Sequence, residues 1–148
     1  MSAAFCLDSL GQEIDDNNTT AYNLYQMTYD QIAKFDCGSK FHFRFPGQEK
    51  VKVVKPLLSK VIDTVEHYIA DNQLPKVKYN IEIKSNPERD AVYHPEPEQF
   101  VDLVLKVITG KGINPRVTIQ SFDFRSLKET RKQAPDLNLA QLIGMIYL

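Results

Sequence analysis

VKYNIEIK, residues 77–84, decides how this chain folds. Its apolar residues alternate strictly: Val77, Tyr79, Ile81 and Ile83 point one way, Lys78, Asn80, Glu82 and Lys84 the other. A period of two is the signature of a β-strand. Alternation alone fits an antiparallel strand with one wet face. The stretches on both sides read as helices, however, which argues for βα units and a parallel sheet. Parallel strands are normally covered on both faces. An amide, a carboxylate and an ammonium in one buried row are costly unless they pair with one another, a metal or a ligand.

Downstream, the loop 85–95 is rich in turn-formers. Pro97 suits the first turn of a helix, whose stripe is Phe100, Val101, Val104, Leu105 and Ile108, ending at Gly110 and Gly112. The strand 116–121 follows, with Val117 and Ile119 on one side and Thr118 and Gln120 on the other. Asp123 can cap a third helix in which Leu127 and Arg131 line up; Pro135 closes it. Residues 137–143 read as a third strand, followed by an apolar tail, 145–148. Upstream, Ser59 is a candidate N-cap for a helix with Val61, Ile62, Val65, Tyr68 and Ile69 on one stripe. His67 lies beside that stripe as a surface residue. The three strands are expected side by side, parallel and in sequence order, with helices on one face, because crossovers between parallel strands are right-handed. The opposite face then holds Asn80, Glu82, Lys84 and Gln120.

The first 56 residues are less patterned. Asp15 to Thr20 is a polar loop. Thr28 and Gln31 form a capping box that opens a short helix with Ile32 and Phe35 as its apolar residues, and Gly38 is placed to end it. KFHFRF, residues 40–45, alternates Phe41, Phe43 and Phe45 with His42 and Arg44. It reads either as an edge strand with its rings packed down or as a loop that presents a cation, Arg44, to an anionic ligand.

The chain has 148 residues, enough for one domain with a sizeable core. A net charge of −1 gives no overall electrostatic reason to expect nucleic acid or an anionic membrane as partner. No apolar run is long enough to span a bilayer. The N-terminal stretch lacks the basic and apolar regions of a signal peptide. Cys6 and Cys37 are expected to be free thiols, a disulfide being the alternative. There is no metal-type cysteine spacing and no internal repeat.

YNIEIKS, FVDLVLKVI, RVTIQSFDFRSL and PLLSKVIDTVE, together with the upstream NLYQMTYDQIAKFDCGS and FRFPGQ, resemble the glycerophosphodiester phosphodiesterase family, the upstream pieces its bacterial extracytoplasmic members. The resemblance runs from about Tyr22 onward. It implies a (β/α)₈ (TIM) barrel, of which this chain holds about three strands: residues 57–148 as βα units of a partial barrel, residues 1–56 as a loop-rich segment. In such barrels functional residues sit at the carboxyl ends of strands. The implied activity is hydrolysis of glycerophosphodiesters to glycerol 3-phosphate and an alcohol with a divalent cation, Mg²⁺ or Ca²⁺. On this resemblance Glu82 is a metal ligand, Lys84 a phosphate contact and Gln120 a polar wall of the pocket. A carboxylate is a hard ligand suited to such a cation. The family's HRG, PENT-like and HD motifs do not occur in this sequence; an E-x-D spacing occurs at Glu13–Asp15 and Glu88–Asp90 without those motifs beside it, and His42, His67 and His94 stand in other contexts. The chain is therefore expected to match the central portion of the family and to be inactive alone. It is also expected to self-associate or to bind a chain that supplies the remaining strands. A periplasmic or extracellular location is implied by the same resemblance.

Overall fold

In the computed structural model, residues 1–144 are described, and the tail 145–148 lies outside them. The chain divides into two compact units, Met1–Leu57 and Leu58–Leu148.

The second unit is built on three short strands: β1 (Tyr79–Glu82), β2 (Val117–Ser121) and β3 (Asn138–Gln141). They lie in the order β1-β2-β3 and both pairings are parallel, as the helix-length spacing predicts. Ile81 stands opposite Ile119, and Glu82 opposite Gln120. Three helices connect or precede them: α2 (Leu58–Asp71), α3 (Pro97–Gly110) and α4 (Phe124–Gln133). The label α1 belongs to the short helix Tyr29–Ile32 of the first unit. Helix α4 packs on β2 and β3, α3 on α4, and α2 on α3. The helices thus cover one sheet face. Ile83, Val117, Ile119, Val101, Val104, Ile108 and Leu127 are buried there, with Ile62 of α2. Burying each such side chain stabilises by roughly 1.5–3 kcal/mol relative to leaving it in water.

Local chemistry explains the ends of these elements. Pro97 occupies the first turn of α3, where an absent N–H costs nothing. Gly112 follows that helix at φ +65°, a conformation that suits glycine. Asp123 caps α4 by accepting the Arg125 N–H at 3.0 Å. Three details differ from expectation. Helix α2 begins at Leu58, so Ser59 lies inside it and does not cap it. Val61 and Tyr68 of its stripe are exposed, whereas Ile62 and Ile69 are buried and Leu58 packs against the core. In α4, Thr130 is buried and Arg131 is exposed. Thr130 tolerates burial because its hydroxyl donates to the Ser126 carbonyl at 2.7 Å.

The first unit has little regular structure. The capping box at Thr28 forms, with Thr28 N donating to Gln31 Oε1 at 2.8 Å, but α1 stops at Ile32, well before Gly38. Its core is small: Ala3, Cys6, Ile14 and Phe35. Cys6 and Cys37 are joined by a disulfide, which corrects the expectation of free thiols. The reason is spatial: Leu7 and Asp36 exchange backbone hydrogen bonds at 2.7 and 3.3 Å, and the neighbouring sulfurs are carried together. Residues 40–45 are a loop and not an edge strand, and Phe41, Phe43 and Phe45 are exposed, not packed down.

Candidate functional site

The face of the sheet turned away from the helices carries Asn80 and Glu82 from β1 and Thr118 and Gln120 from β2, with Lys84 just past the end of β1. The phase is fixed by burial: Ile83 and Ile119 are drawn into the core, so their even-numbered neighbours point the other way. Asn80 Nδ2 donates to Gln120 Oε1 at 2.9 Å, which holds both amides in place. Glu82 and Lys84 lie two residues apart on one strand edge. Their charged ends are 3.5 Å apart, Lys84 with its side chain 80% exposed and Glu82 22%. An ion pair this exposed on one side contributes little, roughly 0–1 kcal/mol.

The two oxygens of Glu82 have different surroundings. Oε2 faces Lys84. Oε1 is buried and has no hydrogen-bond partner. Leaving a buried acceptor unsatisfied costs roughly 1–3 kcal/mol, and more when it is charged. Such an atom is suited to a ligand or a hard cation. Among the described residues no three His, Cys, Asp or Glu side chains gather as a metal site. Glu82 therefore fits a cation as one ligand of a set, not as a complete cage.

Behind this row, a polar network anchors the carboxyl end of β1. Ser121 Oγ donates to the Ile83 carbonyl at 2.7 Å, and Ser85 Oγ donates to Asp123 Oδ2 at 2.9 Å. Arg125 grips two carboxylates at once, Asp90 at 2.6 Å and Asp123 at 2.7 Å. Arg125 holds the Asp90 carboxyl below its ordinary range. Burial pushes Asp123 up, but hydrogen bonds from Arg125 and Ser85 outweigh it, so it too stays low. Both remain ionised, and the guanidinium ties the loop after β1 to the start of α4. The loop is closed at its other end by His94, whose Nε2 accepts the Asn86 N–H at 3.0 Å while Nδ1 donates to the Pro95 carbonyl at 2.8 Å. Both ring nitrogens are thereby engaged. Between them lies an open cavity of about 380 Å³ lined by Lys84, Ser85, Asn86, Arg89, Tyr93, His94 and Phe100.

Of the residues singled out in the sequence, Glu82, Lys84 and Gln120 share this face. Arg44 belongs to the first unit, where its guanidinium lies 5.9 Å from the Phe45 ring. His42 stacks on Phe5, and His67 is bonded to the Asp63 carbonyl one turn back. Sequence reading missed the Arg125 clamp, the Ser85 hydroxyl and the placing of His94. Asp123 was visible as a cap, but no spacing rule links Arg125 to Asp90, 35 residues away.

The model of the glycerophosphoryl diester phosphodiesterase family matches residues 8–147. A glycerophosphodiester phosphodiesterase of Caldanaerobacter subterraneus subsp. tengcongensis is 33% identical over 120 residues, which cover 81% of this chain and 40% of that protein. Among solved structures, a protein from Silicibacter pomeroyi described as a glycerophosphoryl diester phosphodiesterase superimposes with a TM-score of 0.76 at 27% identity, covering 98% of this chain and 48% of that one. A glycerophosphodiester phosphodiesterase of Parabacteroides distasonis matches with a TM-score of 0.55 at 18% identity, a likeness of fold alone. This chain spans less than half the length of each. Its three parallel βα units are those of a partial (β/α)₈ barrel.

Proposed function

The chain belongs to the glycerophosphoryl diester phosphodiesterase family, and from that membership we propose that it is a portion of a metal-dependent enzyme that hydrolyses glycerophosphodiesters to glycerol 3-phosphate and an alcohol, in lipid and glycerol metabolism. The observation that supports this reading best is the buried, unpartnered Oε1 of Glu82 at the carboxyl end of a parallel strand, beside the ammonium of Lys84. Glu82 would hold a divalent cation, Mg²⁺ or Ca²⁺, as one of its oxygen ligands. That cation, when bound, supplies Lewis acidity at a phosphoryl oxygen.

This chain's own residues do the rest of the binding. Lys84 is exposed enough to exchange its partner Glu82 Oε2 for a phosphate oxygen and to stabilise charge developing there. Gln120, held by Asn80, forms a fixed polar wall. The Arg125 clamp keeps the loop after β1 from drifting and so positions Lys84. His94 is committed at both nitrogens and is not free to act as a base. Hydrolysis needs a general acid and a general base, so the expected turnover of glycerophosphocholine by the chain alone is none. The Cys6–Cys37 disulfide supports an oxidising location, periplasmic or extracellular.

A second reading, a non-catalytic or partner-bound module that keeps only part of the phosphate site, is favoured by the lack of any three-ligand metal cluster among the described residues. Calorimetric titration of Ca²⁺ or Mg²⁺ into the chain and its Glu82→Gln variant, with coupled detection of glycerol 3-phosphate, separates the two. The enzyme-portion reading expects weak cation binding that the substitution removes. It also expects turnover only when a polypeptide bearing the family's other motifs is added. Cation binding unchanged in Glu82→Gln would remove the ligand role.

A further inference from the structure

The loop that the phosphodiesterase reading leaves unused is residues 40–55. Three phenyl rings gather around His42 there. Phe5 stacks on His42 with ring centres 4.5 Å apart, and Phe43 and Phe45 follow at 5.2 and 5.3 Å. The phenyl rings stay in solvent: Phe43 is 77% exposed, Phe41 55% and Phe45 51%. Val51, Val53 and Val54 are exposed beside them in sequence. Large apolar side chains exposed together in one short loop mark an interaction surface.

The same stretch holds five cations, Lys40, Arg44, Lys50, Lys52 and Lys55, against one carboxylate, Glu49. Lys40 is engaged by Glu13 and the Ala3 carbonyl. Lys50 lies over the Phe41 ring at 5.2 Å and Arg44 over Phe45 at 5.9 Å. Their charge is therefore displayed on the aromatic surface. Residues 1–39 show the reverse balance, six carboxylates against Lys34. The chain's net charge of −1 hides this polarity, because charges act over roughly 8–10 Å and not over the whole molecule. The loop is tethered by the Cys37 N–H donating to the Val53 carbonyl at 2.7 Å. It is also held by Gly38, where any Cβ would collide with the Val51 carbonyl.

We propose that this loop docks the protein on an anionic phospholipid surface, phenyl and valine side chains entering the headgroup–acyl boundary and Arg44, Lys50 and Lys52 meeting lipid phosphates. Two other occupants fit less well. A second copy of the chain would set the same cations against themselves across a two-fold interface. A single-stranded nucleic acid would stack its bases on aromatic rings and leave the exposed Val51, Val53 and Val54 with no base to meet.

The test is co-sedimentation of the chain with vesicles of pure phosphatidylcholine or of phosphatidylcholine with about 30% phosphatidylglycerol, at low and high salt. The expected result is binding to the anionic vesicles at least tenfold stronger than to the neutral ones, weakened by salt. Phe43→Ser with Phe45→Ser, all-surface changes, should lower it about tenfold or more. Lys50→Gln with Lys52→Gln should lower it about 25-fold on anionic vesicles only, at about fivefold per charge. Circular dichroism of the variants confirms that they remain folded. Equal binding to both vesicle types overturns the proposal. So does binding that the substitutions leave intact, a patch-dependent dimer that ignores vesicles, or capture by a single-stranded oligonucleotide in their place. None of these outcomes depends on whether the chain hydrolyses a phosphodiester.

Discussion

Breaking the Cys6–Cys37 bond should unfold the first unit while leaving the second intact. The bond links residues 31 apart in sequence. The loop-closure relation gives about 12 cal/mol/K of denatured-state entropy removed, or ~3.7 kcal/mol at 25 °C. The unit that the bond closes, Met1–Leu57, buries only Ala3, Cys6, Ile14 and Phe35 as its apolar core. A core of that size supplies no more than about 3–5 kcal/mol in total. The disulfide is therefore comparable to the whole stability of the unit, and its loss decides whether the unit stays folded.

The assay is hydrogen exchange read by mass spectrometry, before and after reduction and alkylation of both thiols. Opening of residues 1–57 should become about 500-fold more favourable, ~3.7 kcal/mol at 1.4 kcal/mol per decade. Peptides from α3, β2 and α4 should keep their protection, because their core lies in the other unit. Protection of residues 1–57 that changes less than about threefold would refute the reasoning, since the bond would then hold nothing the small core does not hold already. Rapid alkylation of both cysteines without reductant would refute the pairing itself.

Ile119→Ala, at a fully buried position in the middle strand, should destabilise the second unit by about 2–5 kcal/mol in urea denaturation, and Thr118→Ala on the opposite face by less than about 0.5. Equal losses would mean that the sheet faces are misassigned. Glu66 is held at a pKa of about 2, first by the Arg116 guanidinium and then by the Tyr79 hydroxyl. Its folded value is depressed, so the stability it gives is full above its ordinary 4.5 and is lost as pH falls toward 2. A carboxyl resonance titrating near 4.5 in the folded protein would contradict this. Tyr79 is pushed up to about 12, by burial and then by Glu66. Its stabilisation is present below pH 10 and fades between 10 and 12, so ultraviolet titration should show one phenol ionising last. Finally, β1 and β3 each have one edge unpaired among the described residues, so light scattering should show a mass that rises with concentration. A constant monomer mass would count against it.

The order and direction of the strands were legible in the sequence because both depend on local periodicity and on connection length. The two-residue alternation of residues 77–84 and 116–121 is enough to place Glu82 and Gln120 on one face. The Thr28 capping box and the Asp123 cap span three residues or fewer and were equally readable. The family resemblance added the roles proposed for Glu82 and Lys84, which alternation cannot assign. Where propensity misled, packing decided. The Phe41-Phe43-Phe45 alternation looks like a strand, yet no partner strand forms there and the rings remain in solvent.

What only tertiary structure could decide were the meetings of residues far apart in the chain. Cys6 finds Cys37 because Leu7 and Asp36 pair beside them. Arg125 reaches Asp90 across 35 residues, and Arg116 reaches Glu66 across 50. The two oxygens of one carboxylate, Glu82, part company, one facing an ammonium and the other buried without a partner. A periodicity states which side of an element a residue occupies. Which group waits on that side, and whether water reaches it, depends on the packing of the remaining chain.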